Sequence, residues 1–167
     1  TDHHTCKDRL PTAAAAILNP KRPDCDYPFD ALAGVGVAFK LILALAIKNG
    51  LKTTDVFNQY VDIATLGTIA DVVPLLGENR VIVDKGLKIL HNPKRIGIRA
   101  IMEVAGVLDK PLNASTIAFS IAPRLNAAGR LGSAATAVEL LLTNDESRAR
   151  ELALLLDTEN KERQQTE

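Results

Sequence analysis

Apolar positions recur at helical spacing through most of the chain. Between Ala33 and Lys48, Val37, Leu41, Ala44 and Leu45 keep i, i+4 spacing, and Ile42 and Leu43 make the segment apolar nearly all round. That pattern predicts a helix central to the core, closed by Asn49-Gly50. Asp55 to Ala70 reads as a second helix, with Val56, Tyr60, Ile63 and Leu66 turned inward. Gly77-Glu78-Asn79-Arg80 is a turn into a third helix, which runs to about Leu90 and ends at His91 beside Pro93. Arg99 to Gly106 is a short helix, Val107 to Leu112 a linker, and Ser133 to Thr143 another helix. Asn144 or Asp145 caps a last one. Its first part carries Ala149, Leu152, Ala153 and Leu156 on one face, and it turns polar after Asp157, as suits a connector leading out to another domain. Ala13 to Asn19 reads as a short buried strand ended by Pro20, and Ser115 to Ile121 fits helix or strand. Lys21 to Tyr27 reads as a loop, and the bland reading of Ala122 to Gly132 is a loop with surface arginines. No internal repeat or low-complexity segment interrupts this order.

Composition narrows the picture. The 167 residues fit one domain or a large piece of one, and 47% hydrophobic content is enough for a core. Aromatics are only 4%, so that core is built from Ala, Leu, Ile and Val, a helix-rich palette. Lys+Arg equals Asp+Glu at 20 each, which excludes a global electrostatic trap for nucleic acid and leaves only local binding. Two cysteines, Cys6 and Cys25, make no disulfide framework and fit a reducing cytoplasm. The longest apolar run, Leu41 to Ile47, is far short of the roughly 20 residues of a membrane span, so no membrane partner is expected.

Three stretches carry candidate chemistry. Thr65 to Leu75 is small or apolar almost throughout and holds one acid, Asp71. A carboxylate buried there needs a cation, a metal or several donors. It reads either as an acid delivered to a site at the end of a buried element or as a helix-terminal Asp held by a local hydrogen bond. Gly67 and Thr68 are small enough to admit a close approach. Asp2-His3-His4 sets three metal-competent or acid–base side chains in a row. If a strand ends there, Asp2 and His4 share one face and His3 takes the other. A zinc site of these histidines with Cys6 and Cys25 is a rival without paired-cysteine spacing. Finally, Ala122 to Gly132 brackets Arg124, Asn126 and Arg130 with small residues; guanidiniums suit bidentate phosphate contact, and Ala and Gly leave room for a backbone.

The order Asp2-His3-His4, Leu66 to Leu75 and Pro123-Arg124-Leu125-Asn126-Ala127-Ala128-Gly129-Arg130 resembles the DHH phosphoesterase superfamily, and within it RecJ-type single-stranded-DNA exonucleases. Leu32 to Lys40 and Gly77 to Arg80 resemble that family too. The resemblance runs from the first residue to the last. It implies a two-metal phosphodiesterase, with Mn²⁺ or Mg²⁺, that degrades single-stranded DNA from the 5′ end in repair and recombination. His3 and Asp71 would ligate metal, Asp2 would support or join the metal shell, and His4 would contact the scissile phosphate or a metal. Arg124, Asn126 and Arg130 would hold phosphate or the strand. The family carries an Asp-x-Asp motif and a further Asp before its Asp-His-His, and a C-terminal domain beyond the point where this chain stops. The expectation is therefore an α/β DHH domain of which this chain is the mostly helical C-terminal part, residues 1–143, with little strand. Residues 144–167 would start the connector helix, and the isolated piece would hold part of an active centre and be inactive. Alternatives are another DHH phosphoesterase, acting on pyrophosphate, oligonucleotides or cyclic dinucleotides, or a non-catalytic partner in a DNA replication assembly.

Overall fold

The computed structural model describes residues 1–6, 10–11, 13–131 and 134–166, with positions 130 and 131 described by their backbone alone. The chain forms two compact units, Thr1–Gly86 and Leu87–Glu167. Among the described residues every regular element is a helix and no strand is present.

In the first unit the described residues before Gly34 form no regular element and lead into α1 (Gly34–Lys48) and α2 (Thr53–Ala70), which pack on each other, and α3 (Gly77–Leu90) begins there. The α1–α2 seam is close at Gly67, where a Cβ would lie 2.7 Å from Val35 Cγ1. So the close approach that Gly67 was expected to admit is made by a neighbouring helix. The Phe39 and Phe57 rings meet at 5.2 Å between centroids and lock the same seam. The second half of α2 is its buried half: Val61, Ala64, Thr65, Leu66, Thr68 and Ile69 are all 5% exposed or less. Thr65 donates to the Ile82 carbonyl at 3.0 Å, and Gly86 leaves the room its hydroxyl needs.

Two expectations fail in this unit. α1 is not central: Val37, Phe39 and Ala46 are buried, but Leu41, Ile42, Leu45 and Ile47 are exposed. A helix apolar all round fills a core only where neighbours cover every side, and here α2 covers one. Residues 13–19 are not a strand, and 13–16 are exposed. One ladder-like bond, from Asp2 N to Leu18 O at 2.9 Å, joins this segment to the N-terminal stretch, and no row of partners extends it.

The second unit contains α4 (Ile96–Val104), the single turn α5 (Ala114–Thr116), a π-helical turn (Ile117–Ile121), α6 (Ala122–Leu131), α7 (Ala134–Leu142) and α8 (Glu146–Thr166). Asn113 caps α5 by accepting from Thr116 N, and Asp145 caps α8 by accepting from Arg148 N. α8 is the organising element, packed on α4, α6 and α7. Its Ala149, Leu152, Ala153 and Leu156 are at most 2% exposed, and Ile98, Ile101, Ile121, Ala127 and Leu140 of the same unit are wholly buried. At Gly97 a methyl would lie 1.7 Å from the Leu140 carbonyl oxygen, so α4 and α7 meet backbone to backbone. The stretch from Ala122, whose bland reading is a loop with surface arginines, is helix α6 as far as Leu131. Pro123 follows directly on the π-helical turn, inside one continuous helical run from Ala114 to Leu131, and Ala127 and Ala128 are wholly buried.

Candidate metal and phosphate site

The Asp-His-His segment divides its work between two sides. His4 Nδ1 lies 2.8 Å from Asp2 Oδ1, and the same oxygen accepts the His3 and His4 amides at 2.7 and 3.2 Å. The His4 ring first, then those amides, hold the Asp2 carboxyl well below the ordinary carboxylate range. An ionised Asp2 only accepts, so His4 carries its proton on Nδ1, which leaves Nε2 for a substrate. Asp2, His4, Cys6 and Asn19 line a cleft of about 540 Å³.

His3 turns the other way. Its Nδ1 is 3.4 Å from Asp71 Oδ2, although 68 positions separate the two. Its ring rests on the start of α1, where a Cβ on Gly34 would come within 3.2 Å of His3 Cδ2.

Asp71 is the C-cap of α2, and its amide donates to the Gly67 carbonyl at 3.0 Å. Its side chain is 37% exposed, against the buried position expected of it. The helix ends as it reaches solvent, because the next residue, Val72, turns the chain with φ 57°. The buried acid of α2 is Asp62, at 5% exposure.

Two asparagines to which the sequence pattern assigns no role hold this assembly. Asn19 is 6% exposed and donates to the His4 carbonyl at 2.9 Å and to Cys6 Sγ at 3.3 Å. Asn79 is wholly buried and donates to the carbonyls of Ala31 and Pro74, tying the approach to α1 to the exit from Asp71. Their sequence signals are local: Asn19 precedes a proline, and Asn79 opens a helix after a glycine.

The three residues assigned to the strand lie in the second unit. Asn126 is exposed. Arg124 is engaged in the fold: its Nε donates to Asp157 Oδ1 at 2.8 Å and its Nη1 donates to the Ser120 carbonyl. Its side chain is 17% exposed. The π-helical turn brings that carbonyl to it, and an arginine so bound is poorly placed to be a free phosphate contact. The side chain of Arg130 lies outside the described residues.

Donor chemistry tests the fit of a metal. Two donors each about 2.1 Å from one ion lie at most about 4.2 Å apart. The imidazole nitrogen and carboxylate oxygen of His3 and Asp71 meet that condition and suit Mn²⁺ or Mg²⁺ as part of a ligand shell. No group of three or more His, Cys, Asp or Glu side chains converges on one point among the described residues, for zinc or any other ion.

No family model matches the chain. Curated proteins do. It is 45% identical over 98% of its length to the single-stranded-DNA-specific exonuclease RecJ of Bacillus subtilis. It is 43% identical over its full length to the protein of the same name from Escherichia coli. This is RecJ-type sequence. The chain spans 20% and 30% of those two RecJ proteins. The crystal structure of RecJ from Thermus thermophilus in complex with Mg²⁺ matches with a TM-score of 0.73 at 42% identity, over 86% of this chain and 22% of that one. An exonuclease RecJ bound to manganese matches with a TM-score of 0.70 at 43% identity, over 78% and 32%. The helical architecture is thus that of a RecJ segment.

Proposed function

We propose that this chain carries the Asp-His-His part of a metal-dependent exonuclease that removes nucleotides from the 5′ end of single-stranded DNA in the cytoplasm. The observation that carries the reading is the approach of His3 to Asp71, a hard-cation ligand pair assembled from distant parts of RecJ-type sequence. The RecJ relatives named for single-stranded DNA, and the RecJ structures with Mg²⁺ or Mn²⁺, support the substrate and the ion.

In this reading His3 and Asp71 hold the ion and Asp2 supports its shell. A bound Mn²⁺ or Mg²⁺ would supply hydroxide near neutral pH and neutralise charge at the scissile phosphate. Asp2 fixes the His4 ring and tautomer, and the unprotonated His4 Nε2 is then free to accept a proton from the water that attacks the scissile phosphate or to ligate a metal. Asn126 and Arg130 contact the strand. Arg124 holds α6 on α8 so that those two are presented. Residues 144–167 supply the last packing helix of this segment and the connector toward a further domain.

The test uses the full-length protein that contains this chain, with 5′-labelled single-stranded DNA and Mn²⁺. Asp71→Ala and His3→Ala should abolish cleavage and leave most of the DNA affinity. Arg130→Ala should flatten the salt dependence of binding by about 0.7 in log–log slope, one phosphate contact on a single strand. Hydrolysis of pyrophosphate or cyclic dinucleotides, with none of single-stranded DNA, would replace this reading with another phosphoesterase. Absence of all hydrolysis with DNA binding intact would make the protein a non-catalytic partner.

A further inference from the structure

Asn19 is a polar side chain almost fully withdrawn from water, in a segment with little secondary structure of its own. Such a group is retained only where its hydrogen bonds are made. All three that the structure gives it serve one arrangement. Oδ1 accepts the Lys21 amide at 2.9 Å, two residues on, as in an Asx turn. That bond decides which end of the carboxamide is oxygen, so Nδ2 faces the Asp-His-His side. There it donates to the His4 carbonyl and to Cys6 Sγ. Pro20, itself buried, restricts the Asn19 backbone to extended conformations before any contact forms. Arg22 completes the knot: its amide donates to the Asn19 carbonyl at 3.2 Å and its Nη1 to the Ile17 carbonyl at 2.8 Å.

Among the described residues, the backbone of the N-terminal triplet is tied to the rest of the unit at two points. The Asp2 N to Leu18 O bond holds one side of the triplet and Asn19 holds the other. Between these two anchors lie the His3 and His4 side chains. A shift of the His4 carbonyl moves the peptide between them and turns both rings.

We propose that Asn19 is the positioning residue of this site: its buried carboxamide fixes the His4 carbonyl and so sets His3 at ligand distance from Asp71. The proposal rests on the reading of His3 and Asp71 as metal ligands. Asn19 touches neither ion nor substrate in this role. It acts as hydrogen-bonding partners of metal ligands do elsewhere, where their loss costs about 10–100-fold in metal affinity or activity.

The experiment compares wild type, Asn19→Ala and Asn19→Asp in the full-length protein. The aspartate keeps the shape and the acceptor for Lys21 but cannot donate to His4, so it separates the donor from the bulk of the residue. Cleavage of labelled single-stranded DNA is measured across a Mn²⁺ titration, with thermal unfolding recorded in the absence of metal. Both variants should need about 10–100-fold more Mn²⁺ for half-maximal rate. The rate should recover at saturating metal, with KM for DNA unchanged. A lowered melting temperature with the Mn²⁺ dependence unchanged overturns the proposal, and so does a raised KM with that dependence unchanged. Loss of folding in both variants overturns it too, making Asn19 a residue of the fold alone. A wild-type protein that neither binds Mn²⁺ nor cleaves removes the metal-site reading itself, an outcome distinct from active wild type with indifferent Asn19 variants.

Discussion

Two residues beside the site show opposite balances of strain and room. Val72 follows the C-cap of α2 in the left-handed region, where glycine is usual and a β-branched residue is strained by about 1–2 kcal/mol. Glycine would relieve that strain and cost about 0.4–1 kcal/mol through a freer unfolded chain. Val72→Gly should therefore gain between about 0 and 1.6 kcal/mol in urea unfolding, the balance of those two terms. Gly34 sets the reverse case. Alanine suits a helix better than glycine, yet its Cβ would press on the His3 ring at 3.2 Å. Gly34→Ala should leave the melting temperature level or higher, while raising the Mn²⁺ needed for half-maximal cleavage by about tenfold, the size seen when ligand orientation is disturbed. At this scale the sequence displayed which residue types were chemically capable and not which were buried. It pointed to Asp71 as the hidden acid of its helix, whereas Asp62 is the hidden one. A helix exposes its last residue if the chain turns there, and the turn at Val72 has no sequence signal, because valine is the wrong residue for it.

Among the elements, α6 and α8 are joined by more than apolar contact. Burial alone would raise the Asp157 carboxyl, but Lys161 at 2.7 Å and Arg124 at 2.8 Å outweigh it and hold it below its ordinary value. A depressed folded value means stability that is fully present above about pH 4 and lost as the pH falls through the folded pKa. Arg124→Ala should cost about 2 kcal/mol at pH 7, typical of a lost hydrogen bond to a charged group. The gap between variant and wild type should shrink on acidification, measured by urea unfolding at pH 7 and pH 3. The helices themselves were largely legible, since Asn49-Gly50, Asp145 and the spacing of Leu152 and Leu156 are local signals. α6 was not. Its Ala127-Ala128-Gly129 reads as loop until a second helix covers it, and small residues are what permit so close a neighbour.

For the molecule as a whole, the order of motifs fixed the family more firmly than any local pattern fixed an element. The Asp-His-His stretch reads as a strand end and is irregular here, because a strand exists only where a neighbouring strand supplies its hydrogen bonds. No helix of the described residues is long and apolar enough to cross a membrane. Within the first unit, the two members of the ligand pair are mounted differently. Asp71 stands at the tip of a rod whose preceding turns are shielded from water and pinned through Thr65 to the Ile82 carbonyl. His3 lies in a stretch whose backbone, among the described residues, is tied by the Asp2 N to Leu18 O bond and by the Asn19 carboxamide. Hydrogen exchange should reflect that contrast, slow at the amides of Leu66 to Ala70 and fast from His3 to Cys6. On adding Mn²⁺ to the full-length protein, protection should rise at residues 2–6 and 17–21 and stay level on α2; an equal rise on both would show two equally compliant mounts. On the proposed reading the pair would work as a fixed jaw and a sprung one: the loop would take up the difference in radius between Mg²⁺ and Mn²⁺, with the helix as the datum against which either ion is measured.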